Sequence, residues 1–237
     1  MAKLNVNIDH VATLRQQRLG KTPSTLQAVK FVEAAGADGI TIHLREDRRH
    51  IQDFDVYAIR KIVKSKLNLE MAVSRDIVAV ALKVKPQWVT LVPEKRQELT
   101  TEGGLDVYGQ KKKLEKLVKI FHKNKILVSM FVDPDLKQVR ASKETGADFI
   151  EIHTGTYADA ATKTARNKEF LKIKAAAKTA KLLGLRINAG HGLNYENVGR
   201  LRKLDIIEEF SIGHSIIAEA IFTGLRSAVK KMIKLVK

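Results

Sequence analysis

The sequence contains no cysteine. This excludes a disulfide framework, thiolate-ligated metal, an iron–sulfur cluster and a cysteine nucleophile. Proline is scarce, with four in 237 residues, and aromatic residues make up only 5%. So few flat side chains leave little on which nucleic-acid bases could stack. No apolar run approaches the roughly 18 residues of a membrane-spanning helix. A signal-peptide core is missing as well, because Asp9 and His10 interrupt the first apolar stretch. These gaps point to a cytoplasmic protein. What is present is a 44% hydrophobic content, too high for a disordered chain, and enough length for one large core. No linker or low-complexity stretch divides it, so residues 1–237 read as a single domain.

Charge is the extreme feature: 43 Lys and Arg against 26 Asp and Glu give +17. Such an excess favours an anionic partner, whether nucleic acid, a membrane surface or phosphorylated metabolites. Its distribution argues for metabolites. Lys111, Lys112, Lys113, Lys116, Lys119 and Lys123 are interleaved with Leu114, Leu117, Val118 and Phe121 at helical spacing. Arg226, Lys230, Lys231 and Lys234 likewise alternate with Ala228, Val229, Met232 and Ile233. Both sets read as solvated faces of amphipathic helices rather than as a nucleic-acid patch.

Short β-like runs alternate with helical patterns throughout. Strands are expected to begin near Leu4, Asp38, Leu67, Gln87, Ile126, Asp148, Arg186 and Ile207. Helical segments between them include Thr25–Ala35, Asp55–Ser65, Arg75–Lys85, Lys111–Lys123, Leu136–Thr145, Thr164–Leu183 and Tyr195–Lys203, with a last helix over Ser215–Val236. Eight such units, about 30 residues each, predict an α/β fold, a (β/α)8 TIM barrel, with an open doubly wound sheet as the alternative. Gly36-Ala37-Asp38 and Gly146-Ala147-Asp148 open similar segments four units apart. They read as helix-to-strand turn chemistry, with duplication of a half-barrel as the other explanation.

Strands buried on both faces in a parallel sheet should be nearly continuous apolar runs. Several here alternate instead: Asn5 and Asn7 between Leu4, Val6 and Ile8; Asn68 and Glu70 between Leu67, Leu69 and Met71; Glu151 between Ile150 and Ile152. Side chains change face with period two. The expectation is a polar-lined lumen, with helices covering the apolar face.

Barrel active sites lie at the C-terminal strand ends. There the sequence places Asn7, Asp9 and His10 after the first strand and His43, Arg45 and His50 after the second. Glu70 ends the third, Glu151 and His153 lie on the sixth, and His191 and His214 follow the seventh and eighth. Six of the seven histidines fall near one rim, and only His122 lies within a helix. Histidine moves protons near neutral pH, and a buried glutamate can be tuned to serve as a base. No H-E-x-x-H or comparable spacing appears, so no metal is expected.

Gly190-His191-Gly192 and Gly213-His214-Ser215 follow the last two strands, where barrels hold phosphate on backbone N–H groups and a helix N-terminus. Arg18, Arg45 and His50 mark a second place for an anion. Pro93–Gly104 is long and polar for a βα loop and ends in Gly-Gly, which reads as a lid after strand four.

Asn7-Ile8-Asp9-His10, His43-Leu44-Arg45-Glu46-Asp47-Arg48-Arg49-His50, Asn68-Leu69-Glu70-Met71-Ala72 and Val92-Pro93-Glu94-Lys95-Arg96 closely resemble the pyridoxine 5′-phosphate synthase family. So do Glu151-Ile152-His153-Thr154-Gly155, Asn188-Ala189-Gly190-His191-Gly192 and Ile212-Gly213-His214, in register over residues 7 to 214. The resemblance implies condensation of 3-amino-2-oxopropyl phosphate with 1-deoxy-D-xylulose 5-phosphate, with no metal or redox cofactor. It implies that Asn7, Arg18, Gly192, Gly213 and His214 bind the amino-ketone phosphate. Asp9, His10, Arg45, His50 and Thr100 would contact the deoxyxylulose phosphate. His43 and Glu70 would be general bases, His191 a general acid and Glu151 a stabiliser of charge or of leaving water. No such role is assigned to His153, for which lumen hydrogen bonding is expected. A homo-oligomer, an octamer in the family, is implied too. The rival readings are another phosphosugar-handling barrel enzyme and a basic nucleic-acid-binding protein.

Overall fold

The computed structural model describes residues 1–94 and 103–237. Its strands are β1 (Lys3–Asn7), β2 (Gly39–Leu44), β3 (Lys66–Met71), β4 (Trp88–Leu91), β5 (Leu127–Val132), β6 (Phe149–His153), β7 (Arg186–Gly190) and β8 (Glu209–Ile212). They pair in parallel in chain order, and β8 closes on β1, forming a (β/α)8 barrel. The helices among the described residues are α1 (Asp9–Gln16), α2 (Thr25–Ala35), α3 (Asp53–Ile62), α4 (Arg75–Val84), α5 (Lys111–Lys123), α6 (Leu136–Glu144), α7 (Gly155–Ala158), α8 (Lys163–Leu182), α9 (Val198–Arg202), α10 (His214–Thr223) and α11 (Leu225–Val236). None is long and apolar enough to cross a membrane.

The alternation in the strands has the expected meaning. Leu4, Val6, Leu67, Leu69, Ile150 and Ile152 are fully buried in the layer between sheet and helices. Each such side chain contributes about 1.5–3 kcal/mol by leaving water. The alternate residues meet inside the barrel: Asn5 Nδ2 donates to Glu209 Oε1 at 2.8 Å, and Thr90 Oγ1 donates to Asn68 Oδ1 at 2.9 Å. Two glycines make room for them. A β-carbon on Gly39 would lie 2.1 Å from Asn5 Oδ1, and one on Gly190 would lie 2.3 Å from Glu151 Oε1. At the opposite mouth Trp88 stacks on Phe149, with Lys66 and Arg186 over the two rings.

The repeated Gly-Ala-Asp has a structural account. Gly36 and Gly146 take positive φ values of 94° and 83° where α2 and α6 end, which glycine tolerates without steric cost. The Asp38 carboxylate then accepts the Leu4 N–H, and the Asp148 carboxylate accepts the Val128 N–H. In both places the aspartate satisfies the preceding strand of the sheet.

Two local expectations are corrected, and one helix is added. The C-terminal helix is two helices, because Gly224 adopts φ 79° and ψ 146°, outside helical space. The seventh crossover helix shrinks to α9, since Asn194 side-chain bonds to Glu196 and Asn197 N–H groups fold the preceding residues into turns. The chain after β1 forms the additional helix α1. Its eight residues carry too mixed a pattern to announce a helix, and tertiary contacts hold it. Arg15 makes a bidentate pair with Asp55 of α3 at 2.6 and 2.7 Å, and Thr25 of α2 donates to the same carboxylate.

Candidate active site

The C-terminal strand ends surround a cavity of about 960 Å³, within the range that encloses small ligands. Asn7, Asp9, His10, His43, Arg45, His50, Glu70, Glu151, His191, Gly192, Gly213 and His214 all line it. Two predicted residues are not brought there. Arg18 is exposed beyond the end of α1 and does not line the cavity. Thr100 lies outside the described residues, as does most of the long loop after β4.

His43 is held at three points. Its backbone N–H donates to Asp9 Oδ1 at 2.8 Å. Asp9 is itself locked by Asn7, whose amide donates to Asp9 Oδ2 and whose oxygen accepts the Asp9 N–H. The imidazole Nε2 lies 2.8 Å from Glu94 Oε1, and Nδ1 lies 3.9 Å from Glu70 Oε2. Glu94 also accepts the Glu46 N–H at 2.9 Å. Burial would raise the Glu94 carboxyl, but the hydrogen bond and charge of His43, with the Glu46 N–H and Arg45, hold it below the ordinary range. An ionised Glu94 fixes the His43 proton on Nε2 and leaves Nδ1 toward Glu70.

Glutamates line the lumen below. Burial, then the nearby charges of Glu151 and Asp9, push the Glu70 carboxyl well above the carboxylate range. Burial and the Glu209 charge raise Glu151 to about 8. Burial lifts Glu209 to about 7 against the pull of Lys66, Lys3 and Arg186. A carboxyl that titrates near neutrality can both give and take a proton at working pH.

The remaining side chains suit anions. The His50 Nδ1 accepts the Ile51 N–H at 2.8 Å, so the neutral ring carries its proton on Nε2. Burial lowers both His50 and His10, and the His10 ring packs edge-on to His214 with centroids 5.0 Å apart. Arg45 is buried and pairs with Asp47, which also binds Arg49 at 2.6 Å. Gly213 caps α10 and packs so tightly on Asn7 that a β-carbon would lie 3.0 Å from the Asn7 carbonyl oxygen. Gly192, at φ 75°, brings its backbone to the cavity where a β-carbon would meet Ala158 at 2.6 Å.

Sequence reasoning left Glu94 and Arg49 out of the site, although both stand in long motifs beside chosen residues. Arg49 lines the cavity while paired with Asp47. Ligand atoms of Asp9, His43 and Glu70 also lie within 4.8 Å of one another, a spacing that could hold a divalent ion. They come from three successive strand ends, so no linear spacing reveals them. Both Asp9 oxygens and His43 Nε2 are engaged in hydrogen bonds.

Solved barrels of distant sequence superpose on the chain. Thiamine phosphate pyrophosphorylase from Pyrococcus furiosus does so with a TM-score of 0.63 at 17% identity, covering 99% of this chain and 95% of that one. Phosphoribosyl anthranilate isomerase from Thermococcus kodakaraensis gives 0.65 at 13% identity, covering 100% and 99%. At such identities the likeness shows the barrel alone. Closer relatives carry more. The pyridoxine 5′-phosphate synthase of Geobacter sulfurreducens is 57% identical over 237 residues, and that of Pelobacter propionicus is 55% identical. In both, 100% of this chain and 99% of the relative are covered. The family model described as pyridoxal phosphate biosynthesis protein PdxJ matches residues 4–237.

Proposed function

The chain belongs to the PdxJ family of pyridoxal phosphate biosynthesis proteins, and from that premise we propose how its rim forms pyridoxine 5′-phosphate. The reaction condenses 3-amino-2-oxopropyl phosphate with 1-deoxy-D-xylulose 5-phosphate, releasing inorganic phosphate and water. The product equals the two substrates less one inorganic phosphate and two waters, so the scheme requires no external oxidant.

Gly192, Gly213, His214 and Asn7 receive the amino-ketone phosphate, on backbone N–H groups and at the start of α10. Arg18 is assigned to the same phosphate by family likeness alone, since it stands exposed and outside the cavity lining. Asp9, His10, Arg45, His50 and Thr100 hold the deoxyxylulose phosphate. Amine addition, loss of water and phosphate, and ring closure each move protons, so several acid–base groups must face one intermediate. His43 through Nδ1 and Glu70 act as bases, and Glu151 stabilises developing charge or leaving water. Burial first, and His153 second, lower His191 to about 4. The free ring is therefore neutral, and a bound phosphate dianion supplies the negative charge that lets it carry a proton and act as an acid.

The observation that carries this reading is His43 held between Glu94 and Glu70 in the same cavity as both glycine loops. The chain works as a single domain, in the cytoplasm, and as a homo-oligomer, an octamer by family likeness. The exposed apolar side chains Leu14, Leu19, Ile221 and Phe222 support such assembly.

With both substrates supplied, pyridoxine 5′-phosphate and inorganic phosphate should appear together. Glu70→Gln should keep binding of the amino-ketone phosphate and lose turnover by about 10²–10⁴-fold. Near-normal product formation by that variant would remove Glu70 from the base role.

A further inference from the structure

We propose that Asp133 and His153 act together as the positioning pair for the His191 ring. The proposal rests on the assignment of His191 above and extends it to two residues that do not line the cavity.

The pair is built by adjacent strands. Asp133 directly follows β5, His153 ends β6, and the register between them runs through Val132 and Ile152. His153 Nδ1 lies 2.8 Å from Asp133 Oδ1. The carboxylate can only accept, so Nδ1 carries the proton and the ring is fixed in one orientation. Burial would raise Asp133, but the His153 hydrogen bond outweighs it, and the Gly104 N–H adds to the effect; the carboxyl stays below its ordinary range. Leu105 then donates to the Phe131 carbonyl oxygen at 2.7 Å. Asp133 is thus pinned from two directions although half exposed.

His191 has the opposite situation. Among the described residues its ring makes no hydrogen bond, and packing alone holds it. The His153 ring meets it edge-on, with centroids 5.0 Å apart and planes at 63°. Phe131 touches both, at 5.2 Å from His153 and 6.4 Å from His191. Gly155 leaves the slot in which the two imidazoles meet: a β-carbon there would lie 2.5 Å from His153 Nε2 and 3.0 Å from His191 Cδ2. The backbone is constrained as well. His191 sits at φ 78°, unusual for a residue with a side chain, and the Thr154 hydroxyl lies 2.6 Å from its carbonyl oxygen. With its own ring unbonded, His191 takes its orientation from His153, and His153 takes its orientation from Asp133. The ionisable groups acting on His191 are His153, which disfavours its proton, and Asp159, which favours it. This adds a positioning role to the hydrogen bonding expected of His153.

The test compares Asp133→Ala, Asp133→Asn, His153→Phe and His191→Asn, each checked for intact fold by circular dichroism. Asp133→Ala should lower kcat about tenfold with KM for both substrates nearly unchanged. Asp133→Asn should recover most of that loss, because an amide oxygen still accepts from Nδ1. In nitrogen-15 histidine spectra, His153→Phe should move the His191 titration upward, since the His153 charge contribution is gone. The His191 signal is identified by its disappearance in His191→Asn. An inactive His191→Asn beside wild-type kcat and unmoved His191 signals in both Asp133→Ala and His153→Phe would overturn the pairing. Near-normal turnover by His191→Asn would instead overturn the acid assignment, and the spectra would still judge the pairing.

Discussion

Glu94 Oε1 lies 2.8 Å from His43 Nε2, on the far side of the ring from Glu70. The contact gives a residue just beyond β4 control over the tautomer of a residue on β2. Glu94→Gln keeps an oxygen to accept the Nε2 proton but removes the charge that stabilises a protonated ring. We expect kcat to fall by about 10–100-fold, as for other residues that orient a reactive imidazole. Binding of both phosphates should be preserved. The low Glu94 titration sets a condition: the difference between variant and wild type should persist down to pH 5, because Glu94 stays ionised there. Unchanged kcat across pH 5–8 would show that the contact is incidental.

The raised lumen glutamates make a prediction about stability, with a definite sign. Glu151 moves from an ordinary 4.5 to about 8, and Glu209 to about 7. A group whose folded value is raised supports the fold fully below its unfolded value and withdraws that support as pH rises through the folded value. Wild type should therefore lose stability between pH 4.5 and about 8 relative to Glu151→Gln. The gap at alkaline pH should be on the order of a few kcal/mol and near zero at pH 4. Urea unfolding at pH 4, 6.5 and 9 measures it, and parallel curves for the two proteins would refute the assigned titration. Activity should move the other way, since Glu151→Gln removes the carboxyl proposed to stabilise developing charge or leaving water.

The barrel was legible because alternation of helix and strand patterns depends on local periodicity. The polar lumen was legible for the same reason: Asn5, Asn68 and Glu151 break apolar runs at period two, and nothing else in a covered parallel strand explains that. Most of the cavity could also be placed, since residues at strand ends share one rim whatever their partners. Glu94 and the Asp133–His153 pair were not, because their roles depend on which ring nitrogen meets which carboxylate, a geometry set by neighbouring strands. Helix α1 escaped for a similar reason, its anchor being a buried ion pair with a residue 40 positions away.

That anchor is open to direct measurement. Arg15 and Asp55 are both buried, and Asp55 also accepts from Thr25 and from the Gln52 N–H. Asp55→Ala leaves a guanidinium without its counter-charge, which should cost about 3–5 kcal/mol in urea unfolding. The double variant Arg15→Met with Asp55→Leu should recover much of that loss, because the penalty comes mainly from the unpaired charge. A loss below about 1 kcal/mol for Asp55→Ala would mean that solvent reaches Arg15.

Two glycines separate the effect of the site from that of the fold. A β-carbon on Gly213 would lie 2.9 Å from Asn7 Cβ and 3.0 Å from the Asn7 carbonyl oxygen, neither of which can swing aside as a long side chain can. Asn7 holds Asp9, and Asp9 holds the His43 N–H, so Gly213→Ala should displace both the start of α10 and the His43 backbone. We expect a raised KM for the amino-ketone phosphate together with a lowered kcat. Gly199 lies within α9 with helical backbone, and a β-carbon there would meet nothing within 4 Å. Gly199→Ala should therefore leave kinetics unchanged and stabilise the protein by about 0.5–1 kcal/mol through the helix preference of alanine. Equal kinetic effects from the two substitutions would show that Gly213 acts through general loosening of the barrel and not through Asn7.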